Sequence, residues 1–167
     1  KEQQFAILFS GSTEKAGMLR GKVIACRFEN WCGDGVHVYT NTAVTVSNST
    51  SCNCFRGGVV ASGSPSTIKI TDFVAEKSQF GKAMDIEIET NPRNKTTLTI
   101  EKLTAYESVD LGTQEGAVVK MTDSTIIGGK TVIYGFKNKI TIERSTLSEG
   151  HRTADESHIR RLFLFIP

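Results

Sequence analysis

Short segments rich in Val, Ile and Thr return along this chain at nearly regular intervals, and that recurrence limits its possible folds more than any other feature. A first series occupies residues 23–26, 43–46, 67–70, 97–100, 124–127 and 139–142. β-Branched residues suit a pleated, half-buried surface, so each segment reads as a strand. A second series lies between them at 35–38, 58–61, 83–86, 117–120 and 131–134. Placing Gly35-Val36 over Gly58-Val59 sets Asn30 over Asn53, Trp31 over Cys54 and Cys32 over Phe55, a register of 23 residues. Self-similarity at such a period is the mark of a solenoid coil.

Later coils read as longer, with polar insertions expected to bulge as loops at 89–95 and 109–115. Only 14 residues separate Ile126 from Ile140, too few for a full coil, so the repeat is expected to decay there. Helical periodicity is almost absent before residue 150, and turn residues punctuate every strand, with 15 Gly against 3 Pro. The class is therefore all-β. A β-sandwich is the rival architecture. Asn over Asn and Gly over Gly favours a single-stranded right-handed parallel β-helix over residues 1–150, because like residues then satisfy the same turn in each coil. Residues 151–167 break the pattern; acids early and arginines late suit a short helix capping the stack.

At 167 residues, 38% hydrophobic and net charge +2, the chain is sized for one folded domain and is not the strongly basic type that binds nucleic acid. No apolar run approaches the ~20 residues of a membrane span. It begins at Lys1, and so reads as a processed chain or a piece of a longer protein. Cys26, Cys32, Cys52 and Cys54 match no zinc-ligand spacing, so no metal and no cofactor is expected and core filling is the better reading. A disulfide stays open, since connectivity is not readable from sequence.

Chemistry is sought on outward positions. In 35–39, alternation turns Val36 and Val38 inward and His37 and Tyr39 outward; in 84–89 it turns Asp85, Glu87 and Glu89 outward. If these strands share a sheet two coils apart, His37 or Tyr39 lies about 9 to 10 Å from Asp85 or Glu87. Asp85 and Glu87, on one strand face about 6 to 7 Å apart, suit a general acid and base for glycoside hydrolysis. Glu29 and Glu76 form a second acidic pair, each following the first strand of its coil. A lyase would need a base and cations, and His37, Tyr39, Arg56 and Lys82 are suitable types; Tyr39 also suits stacking on a sugar face. Asp34, between two glycines, reads as a turn residue bonding local backbone, and Trp31 and Cys32 as packing near the coil wall. Asn30 and Asn53 read as an amide ladder, with Gln79 a candidate to extend it. No GxSxG elbow supports a Ser/His/Asp triad.

With its coils in register, the stretch VIACRFENWCGDGVHVYTNTAVTVSNST and its echoes to about residue 145 resemble the right-handed parallel β-helix, or pectin-lyase-like, superfamily, most like phage tailspike and capsule-depolymerase β-helices. The resemblance implies an extracellular homotrimer, on a virion tail or cell surface, that binds a bacterial polysaccharide along its side and cleaves it by hydrolysis ahead of β-elimination. Neither nucleic acid nor membrane is an expected partner. The polygalacturonase signature is missing, with Gly150-His151 only a fragment of it. The alternative is a non-catalytic β-helix, an adhesin or a structural fibre segment.

Overall fold

The computed structural model describes residues 4–12, 17–62, 65–76, 78–79, 82–88, 96–115, 117–127, 131–136, 139–147 and 152–153, with only the backbone at 82–88, 112–115, 131–136 and 152–153. In chain order the strands are β1 (Phe5–Phe9), β2 (Leu19–Ile24), β3 (Arg27–Glu29), β4 (Asp34–Val38), β5 (Thr42–Cys52), β6 (Val59–Ala61), β7 (Ser66–Ala75) and β8 (Lys82–Ile88). They continue as β9 (Thr97–Ala105), β10 (Ser108–Glu115), β11 (Val118–Thr122), β12 (Thr125–Ile126), β13 (Thr131–Phe136), β14 (Lys139–Glu143), β15 (Thr146–Leu147) and β16 (Arg152–Thr153). Two sheets take them all. One runs β1-β4-β6-β8-β10-β13-β16, the other β14-β11-β9-β7-β5-β2 with β3, β12 and β15 paired alongside. Every pairing is parallel and joins one coil to the next, as in β4 to β6 and β5 to β7. The chain is a parallel β-solenoid, as the repeat predicted.

A left-handed residue bends the second sheet once per coil. Ala25, Asn48, Asp72, Lys102, Asp123 and Arg144 all have φ between 48° and 55° and lie one above another. The bend divides that sheet into two faces, so each coil has three sides. Just past the bend the chain turns inward, and Ser49, Ser124 and Ser145 stand there buried. Their hydroxyls accept N–H groups of the adjacent coils, from Cys26 to Ser49, Leu103 to Ser124 and Ser124 to Ser145. A small buried hydroxyl thus satisfies backbone that the bend removes from the ladder.

The interior is a continuous apolar column. Inward positions stack like on like, with Val36 on Val59 and Ile70 on Ile100, and Phe73, Leu98, Leu103 and Met121 completely enclosed. Glycines fit where coils approach closest. A Cβ on Gly35 would meet the Gly58 carbonyl oxygen at 2.5 Å, so neither the carbonyl nor the added carbon could keep its place.

Two expectations about the later coils are corrected. Residues 117–120 belong to the first series, since β11 pairs with β9 on one side and β14 on the other, and 124–127 supply the shorter segment past the bend. The interval that matters is Val119 to Ile140, and the repeat continues without decay. Residues 109–115 form strand β10 rather than a loop; Val109 and Leu111 alternate into the core, outweighing the polar residues between them. The insertion at 89–95 and most of the proposed capping helix lie outside the described residues. Within that tail, Arg152–Thr153 extends the first sheet as a strand.

Candidate functional site

On the outer side of the first sheet, His37 has Leu8 and Val60 as register neighbours, and beyond Val60 come Asp85 and then Asp110. The row therefore holds His37 and Asp85 two strand spacings apart, as alternation anticipated. Side chains of Asp85, Glu87 and Lys82 lie outside the description. Asp110, which the sequence reading passed over, is in register with Asp85, one strand spacing or about 4.8 Å away. Separation of 25 residues in the chain hid that neighbour.

His37 does point out of the coil, but it is only 2% exposed, which corrects its reading as an open groove residue. Phe5 packs edge-on against its ring at 4.6 Å, and Tyr39 lies 5.9 Å away. Its Nδ1 is 2.8 Å from Asp34 Oδ2 and its Nε2 is 2.9 Å from Ser62 Oγ. An ionised carboxylate only accepts, so Nδ1 donates to Asp34, and in the neutral ring Nε2 is then the acceptor for the Ser62 hydroxyl. Asp34 corrects a second reading. It opens strand β4 and is 1% exposed, bonding His37 and Arg56 rather than local backbone. Arg56, read as a substrate cation, grips both oxygens of Asp34, with Nε 2.9 Å from Oδ1 and Nη2 on Oδ2. Burial pushes the Asp34 carboxyl up, but bonds from His37 and Arg56 outweigh it and hold the carboxyl below its ordinary range.

Asp34, His37 and Ser62 thus stand in the order of a serine-hydrolase relay, an arrangement that no elbow motif announced. Two features separate it from one. The bidentate Arg56 neutralises the carboxylate that would have to stabilise an imidazolium, and the Ser62 N–H is spent on the Val38 carbonyl rather than aimed at an oxyanion. The cluster is an internally satisfied polar plug fastening the β4 and β6 coils, with Phe5 of the preceding coil packed on it.

The second acidic pair is brought together more openly. On the face past the bend, Glu29 is in register with Cys52. Glu76 follows Ala75, the partner of Ser51, and its N–H bonds the Ser51 carbonyl, placing Glu76 beside Cys52. Tyr106 extends the row in the same way, its N–H on the Ala75 carbonyl, and is half exposed. Glu29 and Glu76 are therefore about 9.6 Å apart along one outward row. Arg27 bonds both oxygens of Glu29 at 3.0 and 3.1 Å and keeps that carboxyl below its ordinary range. The Glu76 carboxylate bonds the Cys52 thiol, which is pushed up by that bond, by burial and by the charges of Glu76 and Glu29. Tyr106 was missed because its neighbour Glu76 is 30 residues away in the chain.

Asn53 Nδ2 donates to Asn30 Oδ1 at 2.9 Å, both residues left-handed, so the amide ladder forms as expected. Gln79 does not join that row: its N–H bonds the Cys54 carbonyl, one position past Ser78, placing it in line with Phe55. Trp31 and Cys32 are exposed at the turn into β4 rather than packed in the wall, while Cys54 is buried and all four thiols are free. Among the described residues, no three His, Cys, Asp or Glu side chains converge as a metal site would require. No family model, curated protein or solved structure matches the chain.

Proposed function

We propose that this solenoid is a carbohydrate-active protein that binds a bacterial surface polysaccharide along its side and cleaves it by hydrolysis, working outside the cell as a homotrimer. The row Glu29–Cys52–Glu76–Tyr106 carries the reading. The two residues stand two strand spacings, about 9.6 Å, apart along the backbone, from which their side chains can lean into the ~6.5–9.5 Å carboxylate separation of inverting glycosidases, where a water must fit between base and sugar. Glu29, held ionised by Arg27, is the base that activates water. Glu76 is the partner carboxyl on the leaving-oxygen side, and Tyr106 offers a ring for a sugar face. Asp85 and Glu87, the first pair by sequence, now stand second, with Asp110 in register with Asp85 as a third carboxyl residue in that region.

Reducing-end release from a panel of bacterial capsules tests this. E29Q and E76Q should each lower release by about 10²-fold or more, and D85N/E87Q should leave it unchanged. No release from any capsule, or equal loss in both sets, sinks the assignment. One observation favours the non-catalytic adhesin: His37 and Arg56, two expected substrate contacts, are consumed within the fold.

A further inference from the structure

The outer face of the second sheet before the bend has a charge pattern that its register alone creates. One row reads Lys22, Thr45, Lys69, Thr99, Lys120, Thr141, so that lysine and threonine alternate coil by coil. The parallel row reads Arg20, Ala43, Thr67, Thr97, Val118, Lys139. Neither row contains an acid. Arg20, Lys22, Lys69, Lys120 and Lys139 are all exposed, and among the described residues only Lys120 has an ion-pair partner, Glu143 at 4.0 Å. At one end, Arg20, Lys22, Thr45, Thr67 and Lys69 line a groove of about 450 Å³. The third row of this face, next to the bend, reads Ile24, Ser47, Thr71, Glu101, Thr122, Glu143, so its two acids stand only beside the later coils and the earlier coils of the face carry none.

We infer that this face binds an extended anionic polysaccharide carrying one acidic group per disaccharide. Lysines in alternate coils recur every ~9.6 Å, twice the strand spacing. An extended pyranose chain advances by about one strand spacing per sugar, so a carboxylate or sulfate on every second sugar meets a lysine each time. The threonine hydroxyls between them face the neutral sugars. Nucleic acid fits poorly, because duplex DNA presents a charge every ~1.7 Å and a single strand every ~3.4 Å. The two rows also lack aromatic residues on which bases could stack. The inference deepens the polysaccharide reading by naming the substrate class, yet it rests on residues separate from the Glu29–Glu76 row.

Affinity electrophoresis of the intact chain in gels containing hyaluronan, which alternates a uronate with a neutral sugar, tests it against the carboxyl-reduced polymer and single-stranded oligonucleotide. Retardation by hyaluronan alone, weakening as salt rises, is expected. K22Q/K69Q/K120Q should raise the dissociation constant about tenfold or more, with the circular dichroism spectrum unchanged. K102Q, a cation paired with Asp72 at the bend, serves as control and should bind normally. Equal retardation by the neutral polymer, preference for the oligonucleotide, or unaltered binding by the triple variant would overturn the inference. Since E29Q/E76Q should still be retarded, loss of cleavage and loss of binding are separable results.

Discussion

At the residue scale, Asp34 shows how one buried charge ties neighbouring coils together. Its carboxylate stays ionised only because Arg56 and His37 bond it. R56A should therefore lower stability by about 2–3 kcal/mol in urea unfolding at neutral pH, leaving a charge-assisted bond unmade around an enclosed anion. The pH dependence follows from the depressed carboxyl. Its contribution is fully present above the unfolded-state value of about 3.9 and is lost as pH falls through the lower folded-state value. In R56A the acid transition should move to higher pH, measurable by circular dichroism. Ser62 belongs to the same plug. A fluorophosphonate probe should fail to label it, and labelling lost in S62A would restore the hydrolase reading of the cluster.

At the element scale, the left-handed bend makes two faces of one long strand. Asn48 sits within β5 at φ 48°, a conformation asparagine tolerates and β-branched residues do not. N48V should cost about 1–2 kcal/mol in a thermal or urea melt, whereas N48G should change little. Later coils place charged residues at this bend in alternating sign: Asp72 pairs with Lys102 at 3.6 Å, and Asp123 with Arg144 at 2.6 Å. These pairs are well exposed, so solvent screening leaves them little weight in stability. Their effect is on order rather than stability, because like residues in adjacent coils would repel.

At the scale of the whole molecule, stability resides in an uninterrupted apolar column. Phe73 lies within it, completely enclosed and in register with Ser49 and Leu103. F73A should cost about 3–5 kcal/mol, and unfolding followed by fluorescence and by circular dichroism should remain coincident, because each coil buries its apolar face only against its neighbours. Outside that column the charges divide by side. Cations fill two rows on one face of the bent sheet, with Glu101 and Glu143 confined to the row beside the bend, while Glu29 and Glu76 lie past the bend and Asp110 on the first sheet. A net charge of +2 conceals this division.

Most strands other than β10, the parallel stack and the register of 23 residues were legible in the sequence, because β-branched alternation and repeated Asn and Gly are local signals. Outward direction was legible too, and His37 and Tyr39 pointed as alternation required. Exposure was not. His37 is covered by Phe5 and Arg56, which reach it from other coils, and no period-2 pattern records what lies over a face. The partition of 117–127 also escaped, since Ala117-Val118-Val119 and Thr125-Ile126 are equally good strands and only pairing with β9 and β14 assigns them. Likewise, Lys22, Lys69 and Lys120 are unremarkable in the chain and become a row only when coils of unequal length are stacked. Local propensity and periodicity determined the solenoid; the unequal coil lengths, resolved by pairing alone, decided which side chains meet.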